Sequence, residues 1–348
     1  MNDWAFMSGE DAIRTQVENL TDGTEFRQAR IYFSGRINDN VEFKTQFDFA
    51  NGKPAFKDAY IGLINLPGIG RLRVGHFKEP FSLEELTSSK YTTFMERALP
   101  NALSPSRNAG IMLHSHQLKE RITWSLGIFR QADSFANGSS DGDYDFTGRF
   151  TGLPWYTDSG RNLLHLGLAY SRRSPQDENF RVKQRPETHL APQFLDTGNL
   201  QVNSLDLLGM EAALVLGSVS LQTEFIHSVA ETSSSQNLNF SGWYVQGSYF
   251  FSGEHRRYSR KEAAFSRVKP KRSFLGRSGG VGAWEVALRY SFIDLSDSIL
   301  NGGRLEDFTL GLNWHLNTNT KVMWNYVLAD IDSVGDSNIL QMRFQVDF

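Results

Sequence analysis

The chain ends on ILQMRFQVDF, residues Ile339 to Phe348, in which Leu340, Met342, Phe344, Val346 and Phe348 alternate with Gln341, Arg343, Gln345 and Asp347. Alternation sustained over such a run describes a strand with one apolar and one polar face. Chain ends usually fray. A terminal strand that stops on an aromatic reads instead as the closing stave of a barrel, pairing with the first strand so that no edge stays open.

The same period recurs upstream. Val41, Phe43, Thr45, Phe47 and Phe49 alternate with Glu42, Lys44, Gln46 and Asp48, and Trp284, Val286, Leu288 and Tyr290 repeat the pattern. Such runs approach the roughly 9–11 residues that a tilted strand needs to cross hydrocarbon. Strands are predicted near 26–37, 39–50, 56–64, 70–77, 109–118, 121–131, 145–153, 162–173, 205–216, 219–229, 240–251, 281–294, 305–317, 320–330 and 338–348.

That makes fifteen, whereas bacterial barrels close with an even number, both termini and the short turns lying on the inner side. Parity asks for a sixteenth strand ahead of residue 26. Asn2–Met7 (NDWAFM) would be its top, with most of its length absent from this chain. A first strand from 10–20 is the alternative, although that stretch alternates poorly. The inner links, 318–319, 217–218, 154–161, 119–120, 65–69 and about 38, are short. The outer links are mostly longer, among them 78–108 and 174–204. Only 252–280 is long on the inner side, and only 51–55 short on the outer.

Composition agrees. Aromatics make up 13% and glycines number 30, as β structure with many turns requires. Mean hydropathy is −0.40, and no run approaches the ~18 apolar residues of a membrane helix. A membrane barrel looks polar on average, because only alternate residues touch lipid. There is no cysteine, which removes disulfides and thiolate metal sites, and the net charge of −3 speaks against nucleic acid as a partner. No secretory signal opens the chain.

The least strand-like stretch is GHFKEPFSLEELTSSKYTTFMERALPNALSPSRN, Gly75 to Asn108, with helical spacing confined to Leu83–Leu99. With FRQARIYFSGRI, KDAYIGL, TGLPWY, QRPETHLA, GSYFFSGEHRRYSRKEAAFSRVKP and GAWEVALRYSFIDL, it makes the sequence resemble the phosphate-selective porin O and P family over nearly its whole length. The resemblance implies a homotrimeric, sixteen-stranded antiparallel transmembrane β-barrel in the outer membrane of a Gram-negative bacterium. Its neighbours there would be lipid and lipopolysaccharide, its cargo small anions such as phosphate or polyphosphate, and 78–108 its inward-folded constriction loop. It also implies that Ser88, Ser89 and Arg97 belong to the pore eyelet with Asp58 of KDAY, beside Lys90, Glu84 and Glu85. One position departs: phosphate-specific members carry a lysine three residues before the serine pair, and here stands Glu85, next to Glu84. Two bare carboxylates there would repel phosphate, less so if paired to Arg97 or Lys90.

Anion passage needs cations spaced along the wall. Arg181, Lys183 and Arg185 lie at spacing two, on one face of an extended segment. In the family the corresponding outer loop, 174–204, dips into the pore with part of an arginine ladder. The 252–280 link holds Arg267, Lys269, Lys271, Arg272 and Arg277, a positive periplasmic vestibule. Strand phase adds Arg30, Arg36, Arg71, Arg73, Arg149 and Arg289 as inward residues.

Rival readings are weaker. A soluble multi-sheet protein would not carry Trp124, Trp243, Trp284, Trp314 and Trp324 on the outward phase. An outer-membrane lipase-type enzyme needs a nucleophile beside a histidine, and GxSxG is absent. His114 and His116 have a metal-like spacing without an evident third ligand. No catalytic residue, metal site or cofactor is assigned. A plugged adhesive barrel, or a nonspecific or weakly cation-leaning porin, remains the competing use of the fold.

Overall fold

A computed structural model describes residues 1–138, 144–276 and 279–348. In chain order the elements are β1 (Asn2–Gly9), α1 (Asp11–Gln16), β2 (Gly23–Glu25), β3 (Arg30–Ile37), β4 (Val41–Asp48), β5 (Ala55–Leu66), β6 (Gly70–Lys78), α2 (Leu83–Leu86), β7 (Arg107–Gln117), β8 (Ile122–Arg130), β9 (Asp145–Thr157) and β10 (Asn162–Arg173). Three two-residue strands follow, β11 (Asn179–Phe180), β12 (Lys183–Gln184) and β13 (Leu195–Asp196). Then come β14 (Leu200–Leu216), β15 (Val219–Thr232), β16 (Asn237–Phe250), the short β17 (Tyr258–Ser259) and β18 (Ala264–Phe265), β19 (Ala283–Asp294), β20 (Arg304–His315), β21 (Thr320–Ile331) and β22 (Gly335–Val346). Among the described residues no helix is long and apolar enough to cross a membrane.

The long strands pair antiparallel with their neighbours from β3 to β10, β10 pairs with β14, and the ladder continues through β15, β16, β19, β20, β21 and β22. The terminal strand then meets the first: β22 pairs with β1 from Asn2↔Phe344 to Gly9↔Ser337, and β1 pairs with β2 from Asp3↔Glu25 to Ala5↔Gly23. Asn2–Met7 thus forms a strand in the expected place. The 10–20 alternative does not hold, because α1 turns that stretch into a helix with Ile13 buried.

The predicted strand 26–37 is broken. Phe26–Ala29 leaves the ladder because its side chains and backbone are taken elsewhere: Arg27 by Glu96, Gln28 by Ser89, and the Ala29 amide by Asp48. Among the described residues β3 has a strand partner only on its β4 side.

Burial is inside out. On β15, Ser220, Gln222, Glu224 and Ser228 are buried, while Leu221 and Phe225 face outward and are exposed. The same inversion puts Leu288, Phe308, Leu310, Tyr326, Leu328, Leu340 and Phe344 outside. Lipid makes that inversion favourable, since the apolar face is then the solvated one.

The interior is not empty. Residues 79–106 fold inward, with Phe81, Leu83, Phe94, Met95 and Leu99 buried. The far wall receives them at glycines. A Cβ on Gly209 would come within 2.9 Å of the Phe81 ring, and one on Gly311 within 3.0 Å of the Phe94 ring. Next to them lies an apolar core that draws in Ile13, Val182, Phe194, Leu195, Val202, Phe240, Ile293 and Leu305.

The β1–β22 junction is held by Arg343, whose Nε donates to Asp3 at 2.7 Å and whose Nη2 donates to Asp3 and Glu96 at 2.6 and 2.7 Å. Both Arg343 and Asp3 are buried. Removing one partner of a buried pair strands the other, so Arg343→Met should destabilise by about 3–5 kcal/mol. Asp3→Asn with Arg343→Met should recover part of that loss. Thermal unfolding of the three proteins, read by heat-modified migration on gels, checks the order.

Candidate functional site

The inward segment is organised by α2. Ser82 sits at φ 62°, and its hydroxyl accepts the Glu85 amide at 3.1 Å as the helix cap. From the opposite wall, the Glu224 carboxyl accepts the amides of Leu83 and Glu84 at 2.9 and 2.8 Å, satisfying two free donors of the first turn. Arg97 then clamps the segment. Its Nε donates to the Glu84 carbonyl at 3.1 Å, and Nη2 to those of Glu85 and Thr87 at 3.1 and 3.2 Å.

Neither carboxylate at the departing positions is bare. Glu84 is buried against Arg289 at 3.3 Å and accepts the Ala98 amide at 3.1 Å. Glu85 is buried between Lys78 and Arg97, each at 3.2 Å, and accepts the Ser106 hydroxyl. Glu85 belongs to the loop between β6 and β7 rather than to a strand. Burial pushes its pKa up, but Arg97 and Lys78 outweigh this and hold it at about 2. Lys90 takes no part, its ammonium lying 4.0 Å from Asp347 and over the rings of Tyr32 and Tyr91.

Facing this segment is a basic wall on β3–β5. Asp58 receives Arg107 Nε at 2.7 Å and the Lys44 ammonium, and Arg30 Nε donates to Asp48 at 2.7 Å. A β-bulge shifts the β4–β5 register between Thr45↔Ala59 and Phe47↔Phe56, and this brings Lys57 to the same side as Asp58. The charged neighbours of Lys57 are Arg30, Asp48, Arg107 and Arg27, and among the described residues it forms no ion pair. Arg27 donates to both oxygens of Glu96 at 2.8 and 2.9 Å. Six cations (Arg27, Arg30, Lys44, Lys57, Lys90 and Arg107), drawn from the β2–β3 link, β3–β5, β7 and the inward segment itself, therefore accompany four carboxylates (Asp48, Asp58, Glu96 and Asp347). The ion-paired cations here keep 17–27% exposure, whereas Arg149, Arg173, Arg289 and Arg343 across the interior keep 0–8%.

The remaining expected residues separate into groups. Ser89 donates to Gln28 Oε1 at 3.0 Å, and Ser88 Oγ accepts the Lys90 amide at 3.4 Å, so the pair shapes a turn beside the wall rather than capping α2. Arg71 and Arg73 share Glu42, with Arg71 also on Glu262. Arg149 lies on Glu211, and Arg289 on Glu187 and Glu84. Arg36 is exposed near the end of β3, opposite Glu42 in register.

Arg181 and Lys183 share one face, as their spacing requires, because Val182 between them is buried. Both meet Asp196, Arg181 Nε at 2.7 Å and Lys183 at 3.7 Å, while Arg185 turns away to the Ala191 carbonyl at 2.7 Å. Their loop does descend: Glu187 sits under Arg289, Ser291 and Thr309.

The 252–280 link divides instead of forming one basic group. Residues 256–267 turn inward. Arg256 donates to Gln222 at 2.6 Å, the Tyr258 hydroxyl meets His165 at 2.7 Å, and Arg149 holds the Ala263 carbonyl at 2.9 Å. Arg267 reaches Asp347, the Thr318 carbonyl at 2.7 Å and Tyr91. Lys269, Lys271 and Arg272 are exposed at the rim, and Arg277 lies outside the described residues. His114 is engaged by Ser125 and the Lys261 carbonyl, and among the described residues no three metal-ligating side chains converge.

Lys57 escaped the sequence reading because its phase points outward unless the bulge is known. Arg27 escaped because it lies in the break between β2 and β3. Residues 4–348 match the family of the phosphate-selective porins O and P. Porin O of Pseudomonas aeruginosa is 25% identical over 94% of this chain and 81% of its own length. Among solved structures, an anion-selective porin from Comamonas acidovorans superposes with a TM-score of 0.62 at 13% identity, covering 100% of this chain and 97% of that one. OmpT of Vibrio cholerae in its trimer form gives 0.57 at 11%, covering 98% and 96%.

Because the Glu85 pKa is held below its unfolded value of about 4.5, its contribution to loop stability is complete above that pH and fades as pH falls towards about 2. The protection factors of residues 83–98, corrected for the intrinsic pH dependence of amide exchange, should fall over that window. Glu85→Gln should lower protection at neutral pH and remove that part of the acid sensitivity.

Proposed function

The chain belongs to the phosphate-selective porin O and P family, and from that premise we propose that it passes small anions such as phosphate or polyphosphate, by diffusion along the Arg27–Arg30–Lys44–Lys57–Lys90–Arg107 wall. It is an outer-membrane porin of a Gram-negative cell, a channel rather than an enzyme. The observation that carries the proposal is the excess of cations on the least buried part of the interior. The opposite half is occupied by residues 79–106, by the loop that brings Glu187 to Arg289, and by the inward part of the 252–280 link.

The chemistry follows from where charge is paired. An ion that loses part of its water needs replacement donors at short intervals, bound weakly enough to leave. Arg30 and Arg107 offer planar forks that cannot lose their proton, but each is tied on one side to a carboxylate, which keeps binding from becoming a trap. Lys57 has no such tie and sets the local sign. Ser88 and Ser89 border the same passage with hydroxyls, so residues 78–108 act as the constriction. Asp58 orients Lys44 and Arg107, while Glu84 and Glu85 are spent on the loop itself.

Arg181 and Lys183 concentrate anions at one mouth and Arg267 at the other. The end bearing the short turns faces the periplasm, as in other bacterial barrels. The protein works as a homotrimer, with its outward apolar face in lipid and its outer rim among lipopolysaccharide; the trimer form of a similarly folded porin supports this.

Reversal potentials across a planar bilayer under a KCl gradient test the sign. The unsubstituted chain should favour chloride, with phosphate reducing the chloride current. Lys57→Gln should lower the anion-to-cation permeability ratio about tenfold, because one charge ~6 Å from the ion path in water changes anion and cation occupancy by a factor of about three in opposite directions. Lys119→Gln, at an exposed turn, should not. A cation-favouring potential in the unsubstituted chain would overturn the proposal.

A further inference from the structure

Where the 252–280 link leaves the interior, it crosses to the outer face of the sheet. The Phe274 amide donates to the Leu316 carbonyl at 2.6 Å, and its ring meets Trp314 edge-on at 4.7 Å. Trp314 stacks on Trp284 at 5.1 Å, and Trp284 lies parallel to Trp324 at 6.4 Å. These three indoles are on the outward phase, since Glu285, Asn313 and Met323 beside them are buried. The Trp314 indole donates to the Val281 carbonyl at 2.9 Å, fixing the link against the shelf. Leu275 and Val281 nevertheless remain 82% and 65% exposed.

Just before this apolar surface stand Lys269 and Arg272, both exposed and, among the described residues, without an ion pair or hydrogen bond of the side chain. Lys271 between them is turned back to the Ser252 carbonyl at 3.3 Å. The level is that of the short 316–319 turn, where a membrane barrel carries its aromatic girdle.

We propose that this edge is a binding site for an acidic phospholipid of the periplasm-facing leaflet. The Trp284–Trp314–Trp324 shelf with Phe274 and Leu275 takes the acyl chains and glycerol, and Lys269 and Arg272 take the phosphodiester. The assignment rests on the outer-membrane reading of the chain. Exposed Leu275 and Val281 are unfavourable in water and favourable against lipid, and indole rings suit the headgroup boundary. Two unpaired cations beside that surface complement an anionic headgroup, each worth roughly fivefold in binding. An amphiphile fits better than a free anion, because the cations border an open apolar shelf and not an enclosed polar cavity.

The test uses the full chain in nanodiscs of phosphatidylcholine containing about a tenth of phosphatidylglycerol, with bound lipid counted by native mass spectrometry and conductance measured separately. Phosphatidylglycerol should be retained over phosphatidylcholine. K269Q/R272Q should lower its retention about tenfold or more, leaving phosphatidylcholine retention and conductance unchanged, whereas K119Q should leave all three unchanged. Equal retention of the two lipids by the unsubstituted chain, or no change in K269Q/R272Q, overturns the proposal. Displacement by millimolar inorganic phosphate overturns it in favour of a free-anion site. Selective retention by a chain that conducts nothing supports the lipid site while telling against the channel.

Discussion

Everything in this protein follows from a backbone that must satisfy its own hydrogen bonds where no water is available. Strands can do that by pairing with other strands, so the chain is laid down as an antiparallel ladder from β3 to β22 whose last member pairs with Asn2–Gly9. The side chains are then sorted by the same constraint. Leu288, Leu310 and Leu340 are free to face outward, while Glu211, Glu224, Arg289 and Arg343 must be accommodated inside.

That interior divides by hydration. Where side chains are dry, four arginines have carboxylates: Arg149 with Glu211, Arg173 with Glu79 and Asp145, Arg289 with Glu187 and Glu84, Arg343 with Asp3 and Glu96, while a fifth, Arg256, is held by Gln222 over the Phe265 ring. A lone buried charge would cost several kcal/mol, so a partner on that side is required and says little about transport. On the β3–β5 side the charges keep contact with water, and pairing is no longer demanded. An unmatched Lys57 is readily tolerated there, whereas in the dry interior Arg256 and Lys321, which form no ion pair among the described residues, depend on Gln222 and the Thr92 carbonyl. The cation excess is therefore read from the wet wall alone; the bulk tally of 39 acidic and 36 basic residues averages it away.

Much of this was legible in the sequence because a period of two is hard to imitate. The alternation from Val41 to Phe49, or from Leu340 to Phe348, leaves one reading, and the Gly75–Asn108 stretch stands out by lacking it. What stayed hidden are events that break the period without changing the residue types. The bulge opposite Gln46 moves Lys57 inward, and the Phe26–Ala29 break gives Arg27 to Glu96. The 252–280 link reads as one basic run, yet Arg256 is buried over the Phe265 ring while Arg272 is exposed at the rim, because the chain crosses the sheet edge between them. Charge density along a sequence carries no record of such a crossing.

Glu85 illustrates how far a single departure from a family pattern can be read. As a residue type facing an anion it is adverse, and at an effective dielectric near 20 an unpaired carboxylate ~6 Å away would repel by about 3 kcal/mol. In place, its charge is shared between Arg97 and Lys78, and Arg97 is itself committed to three backbone carbonyls of the same loop. Seen from the passage, the cluster Lys78–Glu85–Arg97 is net positive, and Glu84 is answered by Arg289. The exchange of a lysine for a glutamate therefore alters how the loop is fastened more than what an ion meets. In the proposed channel the sign of the passage would rest with Lys57 and its neighbours on the opposite wall, set by a bulge in the scaffold rather than by the loop that narrows it.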